Sequence, residues 1–159
     1  MTISVGDRIP DAELRTMTPE GPKVVKSGEV LGSGKVVLFA VPGAFTPGCS
    51  NVHLPGFVER AGELKAKGVT TIACVAVNDP FVMDAWGKAH GVGDDILLLS
   101  DGNCEFTAAM GLEMDGSGFG LGTRSKRYAA IIEDGVVTSL DVDEKGIELS
   151  TCSNVLLKL

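Results

Sequence analysis

No stretch of this sequence approaches the roughly 20 consecutive apolar residues that a helix needs to cross a bilayer. Positive charge is short as well. Lys and Arg number 14 against 21 Asp and Glu, and the formal net charge of −7 argues against a broad nucleic-acid surface or an anionic-membrane binder. Cysteine is sparse. Cys49, Cys74, Cys104 and Cys152 are too widely and irregularly spaced for a secreted disulfide scaffold, and no CxxC pair suggests a zinc knuckle. Residues 1–10 lack the basic and then apolar segments of a secretion signal. These absences point to a reducing compartment, read as the cytoplasm, or as an organelle matrix if a transit peptide has been removed.

What is present suits one domain over residues 1–159, since 44% hydrophobic content in a chain of this length can bury a core without staples. Residues 35–41 form a short apolar, β-branched run, the mark of a buried strand. Pro42-Gly43 and Pro47-Gly48 then punctuate a tight loop. Leu54, Phe57, Ala61 and Leu64 recur at helical spacing, which predicts a helix from near Cys49 to Gly68. Residues 69–77 read as a second buried strand. Pro80 opens a further helix, capped by Asn78 or Asp79, with Val82, Ala85, Trp86 and Ala89 on one face. Residues 96–99 read as a third strand, 103–110 as a short helix and 111–122 as a Gly-rich irregular loop. Two β-prone runs, 128–132 and 136–140, flank Glu133-Asp134-Gly135, a strong hairpin signal. A last short helix follows Thr151-Cys152-Ser153. This order gives an α/β fold and suits a thioredoxin-like central mixed sheet flanked by helices.

Cys49 falls in the first turn of the helix that follows a buried strand. A free thiol titrates at about 8.5 and is mostly protonated at neutral pH, so a working nucleophile needs its thiolate stabilised. Unpaired N–H groups and the helix dipole favour an anion at that turn. Pro47 stiffens the approach, while Gly43 and Gly48 let the backbone come close to a small substrate. Thr46 can set its hydroxyl beside the sulfur, donating to a thiolate and accepting from a substrate O–H. A guanidinium is the natural further donor, and Arg124, Lys126 and Arg127 cluster in one short segment. A lone cysteine is more often a small buried hydrophobe than a nucleophile. The strand-loop-helix setting tips Cys49 toward chemistry without naming the substrate.

Pro42-Gly43-Ala44-Phe45-Thr46-Pro47-Gly48-Cys49 matches the signature PxxxTxxC, and with it the sequence resembles the peroxiredoxin family, in its atypical type II (peroxiredoxin-5-like) subfamily. The likeness extends through His53-Leu54-Pro55-Gly56-Phe57, Val77-Asn78-Asp79-Pro80-Phe81-Val82 and Trp86-Gly87-Lys88. It continues at Gly120-Leu121-Gly122 and Ser125-Lys126-Arg127-Tyr128, so it covers nearly the whole chain. The resemblance implies a thioredoxin fold and a thiol-dependent peroxidase acting on hydrogen peroxide and alkyl hydroperoxides. Carried over by position, Cys49 is the peroxidatic cysteine that becomes a sulfenic acid. Pro42 shields the sulfur and Thr46 orients the peroxide. Arg127 is the family arginine, with Arg124 as the fallback in the same loop. Gly48 and Phe45 line the substrate pocket, and His53, four residues after Cys49 on the same helical face, lines it or donates to the sulfur. No haem, flavin or metal is implied, and Cys49 with His53 alone does not make a zinc site. The expected reductant is thioredoxin, or glutaredoxin with glutathione. The expected assembly is a homodimer packed through the active-site loops, engaging Phe45 and Phe81.

For the resolving thiol the resemblance leaves three choices. Plant-type relatives carry a second cysteine where Cys74 stands, and mammalian-type relatives carry one within Thr-Cys-Ser, where Cys152 stands. Cys74 falls mid-strand and suits a core thiol. Cys152, expected in a loop before the last helix, is easier to expose and is preferred. An external thiol such as glutathione is the third choice. Cys104 matches no family position and reads as structural, His90 as a solvated helix end, and Trp86 as core or interface. Two other functions fit the same fold. A dithiol oxidoreductase is disfavoured because Thr46 stands where a thioredoxin has its second cysteine. A non-enzymatic redox sensor would oxidise without sustained turnover.

Overall fold

The apolar strand at residues 35–40, β3 in the numbering below, divides its side chains between two cores. Val37 and Phe39 enter one, and Val36, Leu38 and Ala40 enter the other. The computed structural model describes residues 2–159. In chain order it contains β1 (Glu13–Thr18), β2 (Gly21–Lys26), α1 (Ser27–Val30), β3 (Lys35–Ala40), α2 (Leu54–Ala66), β4 (Thr71–Ala76), α3 (Pro80–Ala89) and β5 (Leu97–Ser100). These are followed by α4 (Glu105–Met110), β6 (Glu113–Asp115), β7 (Thr123–Ser125), β8 (Arg127–Glu133), β9 (Val136–Asp143) and α5 (Cys152–Leu157).

The seven-stranded sheet runs β2-β1-β5-β4-β3-β8-β9. β3, β4 and β5 are parallel, while β1, β2, β8 and β9 join antiparallel, which makes the sheet mixed and thioredoxin-like. α2, α3 and α5 pack on one face through Leu54, Phe57, Leu64, Trp86 and Val155. α4 covers the other face with Phe106 and Met110. A strand buried on both faces has no polar side to alternate with, which is why β3 reads as an unbroken apolar run.

The expected α2 face is the buried one. The expected α3 face is not: Met83, Trp86 and Gly87 are buried, whereas Ala85 and Ala89 are exposed. Gly87 belongs to the contact face because α3 lies close on β5, where a Cβ at this position would meet Leu98 Cδ1 at 2.3 Å. Asp79 rather than Asn78 caps α3, accepting the Val82 N–H at 2.9 Å. α4 starts later than expected, after Cys104 in a left-handed conformation at φ +61. Both carboxylate oxygens of Asp101 cap it, on Phe106 N–H and Thr107 N–H.

Two hairpins are absent from the sequence-based expectation. In β1/β2 only Leu14 is buried, so no apolar period marks the strands. Residues 111–122, expected as an irregular loop, contain β6 and lead into β7, its antiparallel partner, around a 3₁₀ turn at Ser117–Phe119. These strands are short and mostly exposed. The Asp-Gly hairpin forms as expected between β8 and β9, with Asp134 and Gly135 both at positive φ, as a type I′ turn requires.

Candidate active site

The site grows from the end of β3. Val41 N–H still bonds Val75 O at 3.2 Å, and then Pro42, which cannot donate, ends the ladder. Ala44 N–H donates to Asn78 Oδ1 at 2.9 Å, tying the loop to the turn before α3. Phe45, at φ +64, adopts a left-handed conformation uncommon for a residue with a Cβ and redirects the chain into the helix. Helical backbone begins at Pro47, whose fixed φ and missing N–H suit a first turn. Cys49–His53 forms one wide π turn, with Leu54 N–H reaching back to Cys49 O, before α2 continues. Such turns recur at functional sites. Trp86 Nε1 donates to Ser50 Oγ at 2.9 Å, so the buried indole of α3 clamps this turn.

Cys49 and His53 are both buried. Arg127, the first residue of β8, meets them. Its Nη2 donates to Cys49 Sγ at 3.2 Å, and its Nη1 lies 2.9 Å from His53 Nδ1. A guanidinium has only donors, so Nδ1 is the acceptor and the imidazole proton sits on Nε2. That proton is donated to Ser150 O at 2.9 Å. Burial lowers the His53 pKa to about 4, with the charge of Arg127 acting in the same direction and the Ser150 bond opposing. At pH 7 the ring is therefore neutral and able to accept. It packs beside the stacked pair Phe39 and Phe57, tilted to each ring at centroid separations of 5.2 and 5.6 Å.

Ser150 is held in turn by Asp143, the last residue of β9. The carboxylate accepts the backbone N–H groups of Glu148, Leu149 and Ser150, and Ser150 Oγ at 2.6 Å. Burial pushes the Asp143 carboxyl upward, but these donors outweigh it and hold the group below the usual carboxylate range. A continuous polar path therefore runs Asp143–Ser150–His53–Arg127–Cys49. The sequence reading reaches its last three members. Asp143, Ser150 and the loop anchor Asn78 carry no local signal.

Two expectations are corrected in detail. The Thr46 hydroxyl donates to Gly43 O at 2.6 Å rather than to the sulfur, because the turn folds that carbonyl back over the side chain. Its lone pairs remain for an incoming O–H. His53 does not donate to the sulfur either, since its one N–H is taken by Ser150 O. Arg124 is directed elsewhere, with Nε on Leu121 O at 2.9 Å and Nη1 on Pro42 O at 3.3 Å. Pro42, Gly48 and Arg127 share the lining of a cavity of about 450 Å³. Phe45 is 55% exposed and lies outside that lining. His53 borders a different cavity of about 210 Å³, beside Arg60 and Cys152.

All four cysteines are free thiols. Cys74, opposite Phe39 in β4, is fully buried, and burial followed by the nearby charge of Cys49 pushes its thiol well above the ordinary value. Cys152 is not in a loop. It is the first residue of α5 and 3% exposed, and burial raises its pKa to about 11 against the opposing charge of Arg60. Thr151 Oγ1 caps α5 on Asn154 N–H, and Arg60 Nη1 donates to Ser153 Oγ at 2.7 Å, which docks this first turn onto α2. His90, expected as solvated, is half-buried and meets Trp86 edge-on. Among the described residues no cluster of three or more His, Cys, Asp or Glu could hold a metal ion. No helix among them is long and apolar enough to cross a membrane.

The chain matches the Redoxin family over residues 4–156. It is 56% identical over 162 residues to peroxiredoxin-2E-2, chloroplastic, of Oryza sativa subsp. japonica, spanning 99% of this chain and 72% of that protein. Against peroxiredoxin-2B of Arabidopsis thaliana the identity is 44% over 159 residues, spanning 99% and 98%. The crystal structure of reduced Prx3 from Vibrio vulnificus in complex with H2O2 superposes with a TM-score of 0.95 at 51% identity, over 99% of each chain. Peroxiredoxin 5 from Alvinella pompejana superposes with a TM-score of 0.86 at 40% identity, over 98% of this chain and 96% of that one. Sequence and fold agree across the whole length: the chain belongs to the Redoxin family as a type II peroxiredoxin, a peroxidase enzyme.

Proposed function

We propose that this chain, as one domain over residues 1–159, reduces hydrogen peroxide and alkyl hydroperoxides at Cys49. The observation that carries the reading is the Arg127 fork, with one N–H group on the sulfur and another on a neutral His53. Thr46 Oγ1, its own proton given to Gly43 O, accepts the peroxide O–H. The Cys49 thiolate attacks the terminal oxygen, and the S–O bond forms as the O–O bond breaks. The electron pair leaves on the second oxygen, which departs with a proton as water or alcohol. Cys49 remains as a sulfenic acid. Negative charge passes from sulfur to the leaving oxygen, and donors already fixed at that place lower the barrier. Pro42 shields the sulfur, and Gly48 keeps the backbone close to the substrate.

The sulfenic acid then condenses with a second thiol, releasing water. Thioredoxin, or glutaredoxin with glutathione, reduces the resulting disulfide. Cys152 is the preferred partner. Undocking a six-residue helix held through Arg60 and Ser153 disrupts less than opening the central strand that holds Cys74. Mass mapping after one equivalent of peroxide separates the choices: a Cys49–Cys152 link, a Cys49–Cys74 link, or a lone sulfenic acid awaiting an external thiol. The exposed rings of Phe45 and Phe81 support a homodimer through the active-site loops. The chloroplastic relatives support an organelle matrix as the compartment, with the cytoplasm as the alternative. Cys49→Ser tests the whole reading. Peroxide consumption with a reductant present is expected to vanish, and unchanged turnover overturns the mechanism.

A further inference from the structure

The bond from His53 Nε2 to Ser150 O joins the two segments that carry Cys49 and Cys152. His53 ends the wide turn that begins at Cys49. Ser150 lies just before Thr151, the cap of α5, and Cys152, its first residue. Residues 144–149 form no regular strand or helix, and none of them is buried. The end of that stretch is fixed by the buried carboxylate of Asp143, which accepts the N–H groups of Glu148, Leu149 and Ser150 and the Ser150 hydroxyl. From there the hold passes into α5. Asn154 Nδ2 donates to Leu149 O at 2.6 Å, and Thr151 Oγ1 donates to Glu148 O at 3.4 Å. Cys49 and Cys152 are both buried free thiols, so a bond between them requires their turns to open. Unwinding the Cys49 turn carries His53 away from Ser150 O, and the start of α5 loses that tie at the same moment.

We propose that Asp143 and Ser150 are positioning residues for both halves of the cycle, one anchor that steadies Arg127 on the Cys49 sulfur and keeps Cys152 closed until the Cys49 turn unwinds. This deepens the peroxidase reading above and rests on it. Once both turns open, the Cys152 thiolate attacks the sulfenic sulfur of Cys49. The S–S bond forms as the S–O bond breaks, and the departing hydroxide takes up the proton that Cys152 gave, leaving as water.

The test maps alkylation of the reduced full chain by iodoacetamide, cysteine by cysteine, in wild type, Asp143→Asn and Ser150→Ala. Single-turnover oxidation of Cys49 by hydrogen peroxide is measured beside it. A buried thiol is alkylated from an opened state, so its rate follows how often that opening occurs. Cys74, fully buried in β4, reports opening of the whole fold. In Asp143→Asn the amide has one accepting oxygen where the carboxylate has two. Cys152 alkylation is expected to rise about 10- to 100-fold, and Cys49 oxidation to slow about 3- to 10-fold, with Cys74 unchanged. Ser150→Ala loses the hydroxyl bond but keeps the backbone ones, and is expected to move both rates the same way by about two- to five-fold. It carries the test if Asp143→Asn does not fold. Wild-type rates at either Cys152 or Cys49 in the folded variants overturn the proposal. So does a rise at Cys74 that matches the rise at Cys152, since Asp143 would then support the whole fold alike. A wild-type protein whose Cys49 is not oxidised by peroxide overturns the peroxidase reading instead. The alkylation arm needs no peroxide and still decides whether Asp143 holds Cys152 closed.

Discussion

Nδ1 of His53 accepts a hydrogen bond from Nη1 of Arg127 at 2.9 Å, and this contact fixes where the other arm of the guanidinium points. An arginine side chain is long and loses considerable rotamer freedom when held in one geometry. A single contact with the sulfur at 3.2 Å would hold it poorly. The second contact comes from a ring kept neutral by burial, so the guanidinium is anchored without a competing positive charge. Asp143 and Ser150 fix the ring from the far side. The reacting sulfur is thereby coupled to a polar path that begins at the end of β9.

The first prediction separates anchoring from packing at His53. His53→Leu keeps apolar bulk beside the stacked Phe39 and Phe57 rings but removes the acceptor, and the rate of Cys49 oxidation by peroxide is expected to fall by about 10- to 100-fold. His53→Gln can accept from Arg127 through Oε1 and donate to Ser150 O through its amide. It is expected to recover most of that loss. Stopped-flow measurement of both variants decides the matter, and equal losses would show that the ring acts by packing alone.

The second prediction follows from the same ring's titration. In the unfolded chain His53 titrates near 6.5, and in the fold near 4. Between these values the unfolded state binds more protons, so stability falls as the pH drops through the window and is level above it. The span corresponds to about 3 kcal/mol. Urea midpoints are expected to decline from pH 7 to pH 4.5, and His53→Gln is expected to remove most of the slope. Asp143, held below the usual carboxylate range, contributes stability that is lost only at still lower pH, so the two groups act in different windows. Parallel declines in wild type and variant would assign the slope to other groups.

Legibility tracks how local each signal is. The junction at Cys49 can be read because its strand, its two Pro-Gly pairs and its helix are contiguous. The pairing of Arg127 with Cys49 spans 78 positions, and within the basic cluster at 124–127 only family resemblance singles this arginine out. His53 and Ser150 lie 97 positions apart, and no spacing rule joins them. Asp143 looks like any acidic residue at a strand end until the chain folds back and offers it the N–H groups of 148–150. Cys152 is misread as loop because its burial depends on α5 docking against Arg60. The misplaced face of α3 has a similar origin: Gly87 has no hydrophobic side chain to mark it, yet close approach to Leu98 makes it a contact position.

The last prediction concerns Gly48, where stability and activity are expected to move apart. Its backbone, at φ −65 and ψ −40, is helical and accepts any residue. Alanine in a helical position is favoured over glycine by about 0.5–1 kcal/mol, because glycine loses more chain entropy on folding. The new Cβ would nonetheless lie 3.1 Å from Ile147 Cδ1 and 3.3 Å from Arg127 Nη2, so each neighbour must give by a few tenths of an ångström. Ile147 can yield toward the cavity at little cost. The guanidinium can yield only by leaving the sulfur or His53. Gly48→Ala is therefore expected to hold or slightly raise Tm while slowing peroxide reduction about ten-fold, with the loss shared by small and bulky peroxides. Thermal melts alongside single-turnover rates check this. A large fall in Tm would mean that this glycine serves the packing of the helix start, and that its closeness to Arg127 is incidental to catalysis.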